Sequence, residues 1–243
     1  FVNNRSTNLI EVDEARIISS RTLPNQLDVA TSNVGLEYQF NKLDYRFNPR
    51  KGLDLNVQAR LGLRRIKQNT DITSIIDPND ETFDFASLYD TLSIRNFQSK
   101  FDLNVAYYFP FTKRGTIKLK NHTGILITEQ RAFENEQYRI GGNRILRGFD
   151  DESIFADFFS VMTLEYRLLI ARNSFISVFS DYAYLENNVN EDAYSGTALS
   201  FGAGLTFDTS VGIFGITYAV GQTEEIPFDL RTAKIHLGYI SLF

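Results

Sequence analysis

The sequence predicts an all-β fold, an antiparallel transmembrane β-barrel with nine or ten strands in this chain. Three observations predict it. Apolar and polar residues alternate with period two along almost all of the 243 residues, the mark of strands with one apolar and one polar face. The polar face carries charged or amide residues in nearly every strand, as a wet lumen requires, and the apolar face is rich in Phe, Tyr and Leu, as lipid contact requires. Short turns also alternate with long polar loops, as in outer-membrane barrels.

The first clear strand sets Val34, Leu36, Tyr38 and Phe40 against Asn33, Gly35, Glu37 and Gln39. The second sets Leu53, Leu55, Val57, Ala59, Leu61 and Leu63 against Asp54, Asn56, Gln58, Arg60, Gly62 and Arg64. Phe101, Leu103, Val105 and Tyr107 continue the rhythm, followed by Ile117, Leu119, Ile125 and Ile127 opposite Lys118, Lys120, His122 and Gly124. Further on, Met162, Leu164, Tyr166 and Leu168 oppose Thr163, Glu165 and Arg167, and Ile176, Val178, Tyr182 and Tyr184 oppose Ser177, Phe179, Asp181 and Ala183. "ALSFGAGLTFD", "IFGITYAV" and "AKIHLGYISLF" complete nine strands, the last with Ile235, Leu237, Tyr239 and Phe243 on its apolar side. A tenth is expected near "NLIEVDEARII", where the alternation is broken. Short turns fall at 48–52, 110–115, 171–174 and 208–212, and long loops at 66–95, 129–155, 186–195 and 221–231. No comparable helical period appears. A soluble sandwich or lipocalin-like barrel also alternates, but with shorter strands and a more varied outer face.

Composition narrows the function. A net charge of -5 argues against a nucleic-acid partner, and the absence of Cys removes disulfides, thiolate metal sites and a cysteine nucleophile. No run of 18 apolar residues supplies a membrane helix. A mean hydropathy of -0.21 does not exclude a barrel, whose alternating faces average out as polar. "FVNNRSTN" has the features of neither a signal peptide nor a basic leader, which leaves residue 1 as a processed terminus, an engineered boundary or an internal point of a longer chain. Neither a nucleophile elbow nor a glycine-rich phosphate loop is present, so no enzyme and no cofactor are expected. His122 and His236 lie on separate strands without metal-ligand spacing and read as polar lumen residues. "DPNDETFD" (77–84) has the acids of a calcium loop without its spacing, and the basic turns "TKRG" and "NPRKG" read as solubilising.

One loop breaks the rhythm conspicuously: "FENEQYRIGGNRILRGFDDE". Its Tyr138, Gly141, Gly142, Leu146, Arg147, Gly148 and Phe149 resemble the sixth extracellular loop of the BamA/TamA superfamily. Glu165 in "TLEYR", Asp181 in "FSD", the hairpin "GAGLTFDTSVGIFGITYA", the turn in "NKLDYRFNPRKG" and the terminal Phe243 follow the same pattern, so the resemblance covers residues 32–243. It implies a sixteen-stranded barrel preceded by POTRA domains. Residues 1–243 are then the C-terminal portion of the barrel domain, with a self-contained ten-stranded barrel as the alternative. It also implies a protein of the bacterial outer membrane that inserts β-barrel clients by templating their strands at a lateral seam. Alternatives are a pore of the same superfamily that secretes a partner or fused passenger, and a plain solute channel. The implied partners are outer-membrane lipids, unfolded outer-membrane clients, accessory lipoproteins and periplasmic subunits. Tyr239 and Phe243 would form the terminal strand signal.

Charge chemistry supports a specific role for the loop. An Arg reaching into a barrel must be paired, and its planar fork suits carboxylates. Glu165 and Asp181, both of lumen parity, are the expected partners of Arg147. Gly141, Gly142 and Gly148 permit sharp turns, and Phe149 is expected to rest on Phe179.

Overall fold

The computed structural model describes residues 2–8, 10–188 and 193–241. In chain order the strands are β1 (Val2–Asn8), β2 (Val29–Leu43), β3 (Gly52–Ile66), β4 (Arg95–Pro110), β5 (Gly115–Thr128), β6 (Tyr138–Ile140), β7 (Ile154–Ala156), β8 (Phe158–Ala171), β9 (Ser174–Asn187), β10 (Tyr194–Thr209), β11 (Gly212–Thr223) and β12 (Lys234–Ile240). Ten of them form one sheet in the order β1-β2-β3-β4-β5-β8-β9-β10-β11-β12, while β6 and β7 pair separately as a hairpin inside a long loop. Every pairing is antiparallel. The sheet is open. β1 and β12 are its edges and do not pair with each other, so the described residues do not close a ten-stranded barrel alone.

The alternation in the sequence becomes an inside-out burial pattern. Leu36, Leu61 and Leu237 are 69%, 65% and 75% exposed, whereas Glu165, Asp181, Ser200 and Arg64 are buried on the other face. A soluble sheet would bury the leucines; here they form a surface suited to lipid. β2–β5 and β8–β11 run 12 to 16 residues, longer than the shortest tilted crossing. At about 3.3 Å per residue and a tilt near 45°, 14 residues rise roughly 33 Å, enough to cross about 30 Å of hydrocarbon.

All nine alternating segments are strands. The tenth strand is displaced from its expected place, because "NLIEVDEARII" turns into a helix, α1 (Glu14–Ser20). Asp13 caps it by accepting the Arg16 N–H at 3.1 Å, Glu14 sits favourably in the first turn, and Ile17 is buried. The sheet's actual first strand, "VNNRSTN", is almost wholly polar and carries no period-two signal.

Long loops gather at one end. Ile17, Leu27, Val29, Ile66, Ile72, Ile75, Phe85 and Tyr89 form an apolar cluster there, with Phe133 packed against it. Arg21, left-handed at the end of α1, pairs with Asp80 at 2.9 Å and lies 4.6 Å from the Phe83 ring centroid. The acids of 77–84 thus hold this cap together.

Candidate functional site

The loop between β5 and β8 folds back over the inner face of the sheet. β6 and β7 lift it through the pairs Tyr138–Ala156, Arg139–Phe155 and Ile140–Ile154. Between them the chain reverses tightly: Gly142 N–H donates to the Phe149 carbonyl at 3.2 Å, and Gly142 bridges Leu146. Gly148 has φ +84, and a Cβ there would lie 2.7 Å from the Val220 carbonyl carbon and the Gly221 nitrogen of β11. Only glycine permits both the backbone angle and the approach.

That reversal delivers Arg147 to two acids. Its Nε and Nη2 donate to Asp181 at 2.8 and 2.6 Å, and its Nη1 donates to Glu165 at 3.1 Å. The guanidinium also lies flat over Phe179, 3.3 Å from the ring centroid, a cation–π stack in a desolvated setting. Thr163 Oγ donates to Asp181 at 2.8 Å, satisfying a fully buried carboxylate. Glu165 is shared further: Arg167 Nε donates to it at 2.6 Å and Lys118 Nζ approaches to 3.6 Å. Lys118 and Glu165 are register partners across β5 and β8.

The structure thus brings Arg147, Glu165, Asp181 and Phe179 together. Phe149 is elsewhere. It packs with Ile140, Leu146, Phe159, Val161 and Leu185, its ring against Gly221, because Phe179 is already covered by the Arg147 guanidinium. His236 accepts the Gly148 N–H through Nε2 at 3.3 Å, while His122 meets the Phe159 ring edge-on at 5.0 Å. Tyr239 faces outward and donates to the Val211 carbonyl at 2.6 Å. Phe243 lies outside the described residues.

A second clamp has no counterpart in the sequence reading. Arg64 of β3, fully buried, donates through Nε and Nη2 to Glu136 at 2.7 and 2.6 Å, and stands 4.9 Å from the Phe133 ring centroid. Glu136 also accepts the Phe133 N–H at 2.9 Å. Polarity is reversed here, with the cation on the wall and the acid on the loop. Arg64 was readable as a lumen residue, but its partner, 72 residues on, was not. Lys100 Nζ to the Glu136 carbonyl, Lys120 Nζ to the Arg144 carbonyl and Lys234 Nζ to Asp150, at 2.9, 3.1 and 2.7 Å, complete a series of contacts from β3 to β12.

An antiparallel sheet with its apolar face outward, its charges inward and a long loop clamped across the inner face defines part of the wall of a membrane β-barrel, with a loop folded onto its lumen side. The Omp85 superfamily domain matches residues 3–236, and the chain belongs to that superfamily. Among solved structures, BamA from Haemophilus ducreyi lacking POTRA domains 1–3 is similar in fold, with a TM-score of 0.58 at 15% sequence identity. The match covers 93% of this chain and 46% of that one, so the chain spans about half the length of that structure. No curated protein matches the chain.

Proposed function

We propose that this chain is the C-terminal portion of a larger outer-membrane barrel that inserts β-barrel clients, pairing their strands at a lateral seam bordered by β12. The observation that carries this reading is β12 itself. It pairs with β11 over seven positions, Ile213–Ile240 to Ala219–Lys234, against twelve for β10 with β11, and has no partner strand on its other side among the described residues. A short strand with an open edge presents backbone donors and acceptors to an incoming strand. Family membership and the fold support the same reading. The clamp would hold the loop, and through Lys234 and His236 the edge strand, in one position while a client docks. Unfolded outer-membrane proteins are the proposed clients, with accessory lipoproteins or periplasmic subunits as partners and no covalent chemistry of its own.

These 243 residues hold no cysteine; any elsewhere in the full-length protein is replaced by serine, and the client carries single cysteines along its terminal strand. Single cysteines at Ile235, Leu237 and Tyr239 in the full-length protein should form disulfides with a client's terminal strand in a fixed register. If a client that folds in its presence forms no disulfide at any of them, templating at β12 is wrong.

A cavity of about 830 Å³ beside the loop tip, lined in part by Phe149, Asp150, Leu185, Tyr194, Glu224 and Lys234, favours a second reading as a secretion pore of the same superfamily. Crosslinks from this cavity to a passenger in transit, with none from β12, would select it.

A further inference from the structure

The connection between β2 and β3 is not a plain solvent turn. Asn48 is 3% exposed and Pro49 is buried, which is unusual at a loop tip. The base of the turn is closed: Asp44 N–H donates to the Lys51 carbonyl at 3.0 Å, and the Asp44 carboxylate accepts the Arg50 and Lys51 N–H groups at 2.9 and 3.0 Å. From that base the turn reaches over the inner face. Asn48 Nδ2 donates to the Arg172 carbonyl in the β8–β9 turn at 3.2 Å, and Asn48 Oδ1 accepts from Arg167 of β8 at 3.4 Å. The Arg172 guanidinium lies 4.3 Å from the Tyr45 ring centroid, and Arg50 donates to the Thr112 carbonyl of the β4–β5 turn at 2.9 Å. Three strands, β3, β4 and β5, separate β2 from β8 in the sheet, so the Asn48 and Tyr45 contacts cross the mouth, while Arg50 reaches the neighbouring turn along its rim.

Arg167 then links this turn to the loop. It donates to Glu165 at 2.6 Å, and Glu165 also accepts from Arg147 at 3.1 Å. Two segments that fold inward from opposite ends are thus linked through Arg167 and one carboxylate. Tyr108 and Phe175, whose ring centroids stand 5.5 and 4.8 Å from the Arg167 guanidinium, fill the space beside it.

We propose that the 44–51 turn is a second plug that closes the short-turn mouth of the barrel, with Asn48 and Arg167 as positioning residues that tie its closure to the loop clamp through Glu165. The inference holds for whichever polypeptide the barrel handles, and it is read by a measurement that involves no client, so it and the assembly reading can fail separately.

These residues hold no cysteine, so with any cysteine elsewhere in the full-length protein replaced by serine, Ser177→Cys provides a single reporter. Ser177 is buried on the inner face of β9 and is the register partner of Arg167, just inside the mouth. Its labelling rate by a charged, membrane-impermeant maleimide is measured in the folded full-length protein in detergent, with folding checked by heat-modifiable gel migration. Asn48→Ala should speed labelling at least tenfold, and Asn48→Asp, which keeps the acceptor facing Arg167 but loses the donor to the Arg172 carbonyl, should fall between Asn48→Ala and the parent. An unchanged rate in Asn48→Ala overturns the second plug. Factors for Asn48→Ala and Arg147→Ala that simply multiply overturn the tie through Glu165. If Asn48→Ala does not fold, a short bis-maleimide should still bridge Tyr45→Cys and Arg172→Cys in the otherwise native barrel. Failure of that bridge overturns the crossing of the mouth.

Discussion

Glu165→Gln is expected to release the loop more than Asp181→Asn, although Asp181 makes the shorter contacts with Arg147. Three cations, Arg147, Arg167 and Lys118, approach Glu165 within 3.1, 2.6 and 3.6 Å, whereas among them only Arg147 is paired with Asp181. Neutralising Asp181 leaves Arg147 with Glu165, so the loss is about that of charged hydrogen bonds, roughly 1.5–3 kcal/mol. Neutralising Glu165 removes the shared counter-charge of three cations whose side chains are no more than 16% exposed. Breaking a buried pair this way costs about 3–5 kcal/mol. At the middles of the two ranges the difference is about 2 kcal/mol, roughly twentyfold in the loop-release equilibrium. The assay is tryptic nicking after Arg144, an exposed loop residue, in the folded full-length barrel. Equal or greater nicking in Asp181→Asn would refute the shared-carboxylate reasoning, as would an Arg147–Glu165 double-mutant cycle with coupling below about 0.5 kcal/mol.

Three further outcomes are expected. Arg64→Leu alone should lower the thermal midpoint of heat-modifiable migration by an amount reflecting about 3–5 kcal/mol, while Arg64→Leu with Glu136→Leu should recover most of it, because an apolar pair strands no charge; a double variant as unstable as the single one would contradict this. Gly148→Ala should cost about 1–3 kcal/mol through its left-handed backbone, whereas Gly196→Ala, whose Cβ would meet nothing within 4 Å, should change the midpoint negligibly. Asp80 is held below the usual aspartate range by the Thr82 hydroxyl and then by Arg21. A depressed folded pKa gives stability that is present above the unfolded pKa and lost as pH falls through the folded one. Protease resistance of the cap should therefore be higher in the parent than in Asp80→Asn at neutral pH, and the two should converge in acid below that range.

The strands were legible because a lipid-facing and a lumen-facing surface leave the same period-two record on every strand. β1 was illegible for the same reason: "VNNRSTN" has no apolar side, and its place is fixed by pairing with β2 from Asn8–Val29 to Val2–Gly35. The strand expected in "NLIEVDEARII", where the alternation is broken, is in its second half a helix, started by the Asp13 cap of α1. Arg147, Glu165 and Asp181 were singled out by the family resemblance, and parity agreed by putting both acids inside. Parity also put Lys118, Arg167 and Arg64 inside, yet which loop or turn atoms meet them depends on how far each connection folds inward. That distance is set by three-dimensional closure, as the placement of Phe149 against Gly221 rather than Phe179 illustrates.

The clamps matter to the edge strand because of where they pull. Outer-face leucines and aromatics favour lipid all around the sheet, so they fix neither its curvature nor the position of one strand against another. Inner-face contacts are directional. Glu136 ties the loop to β3, Arg147 ties it to β8 and β9, and Gly148 and Asp150 tie it to β12 through His236 and Lys234. Residues 136 to 150 therefore span the inner face almost from one edge to the other. Among the described residues β12 is held by seven ladder positions and by this loop, so loosening either clamp removes part of what holds the edge strand. On the proposed reading, an edge with a short ladder, stiffened from inside by the loop, would be available for pairing without unfolding the wall behind it.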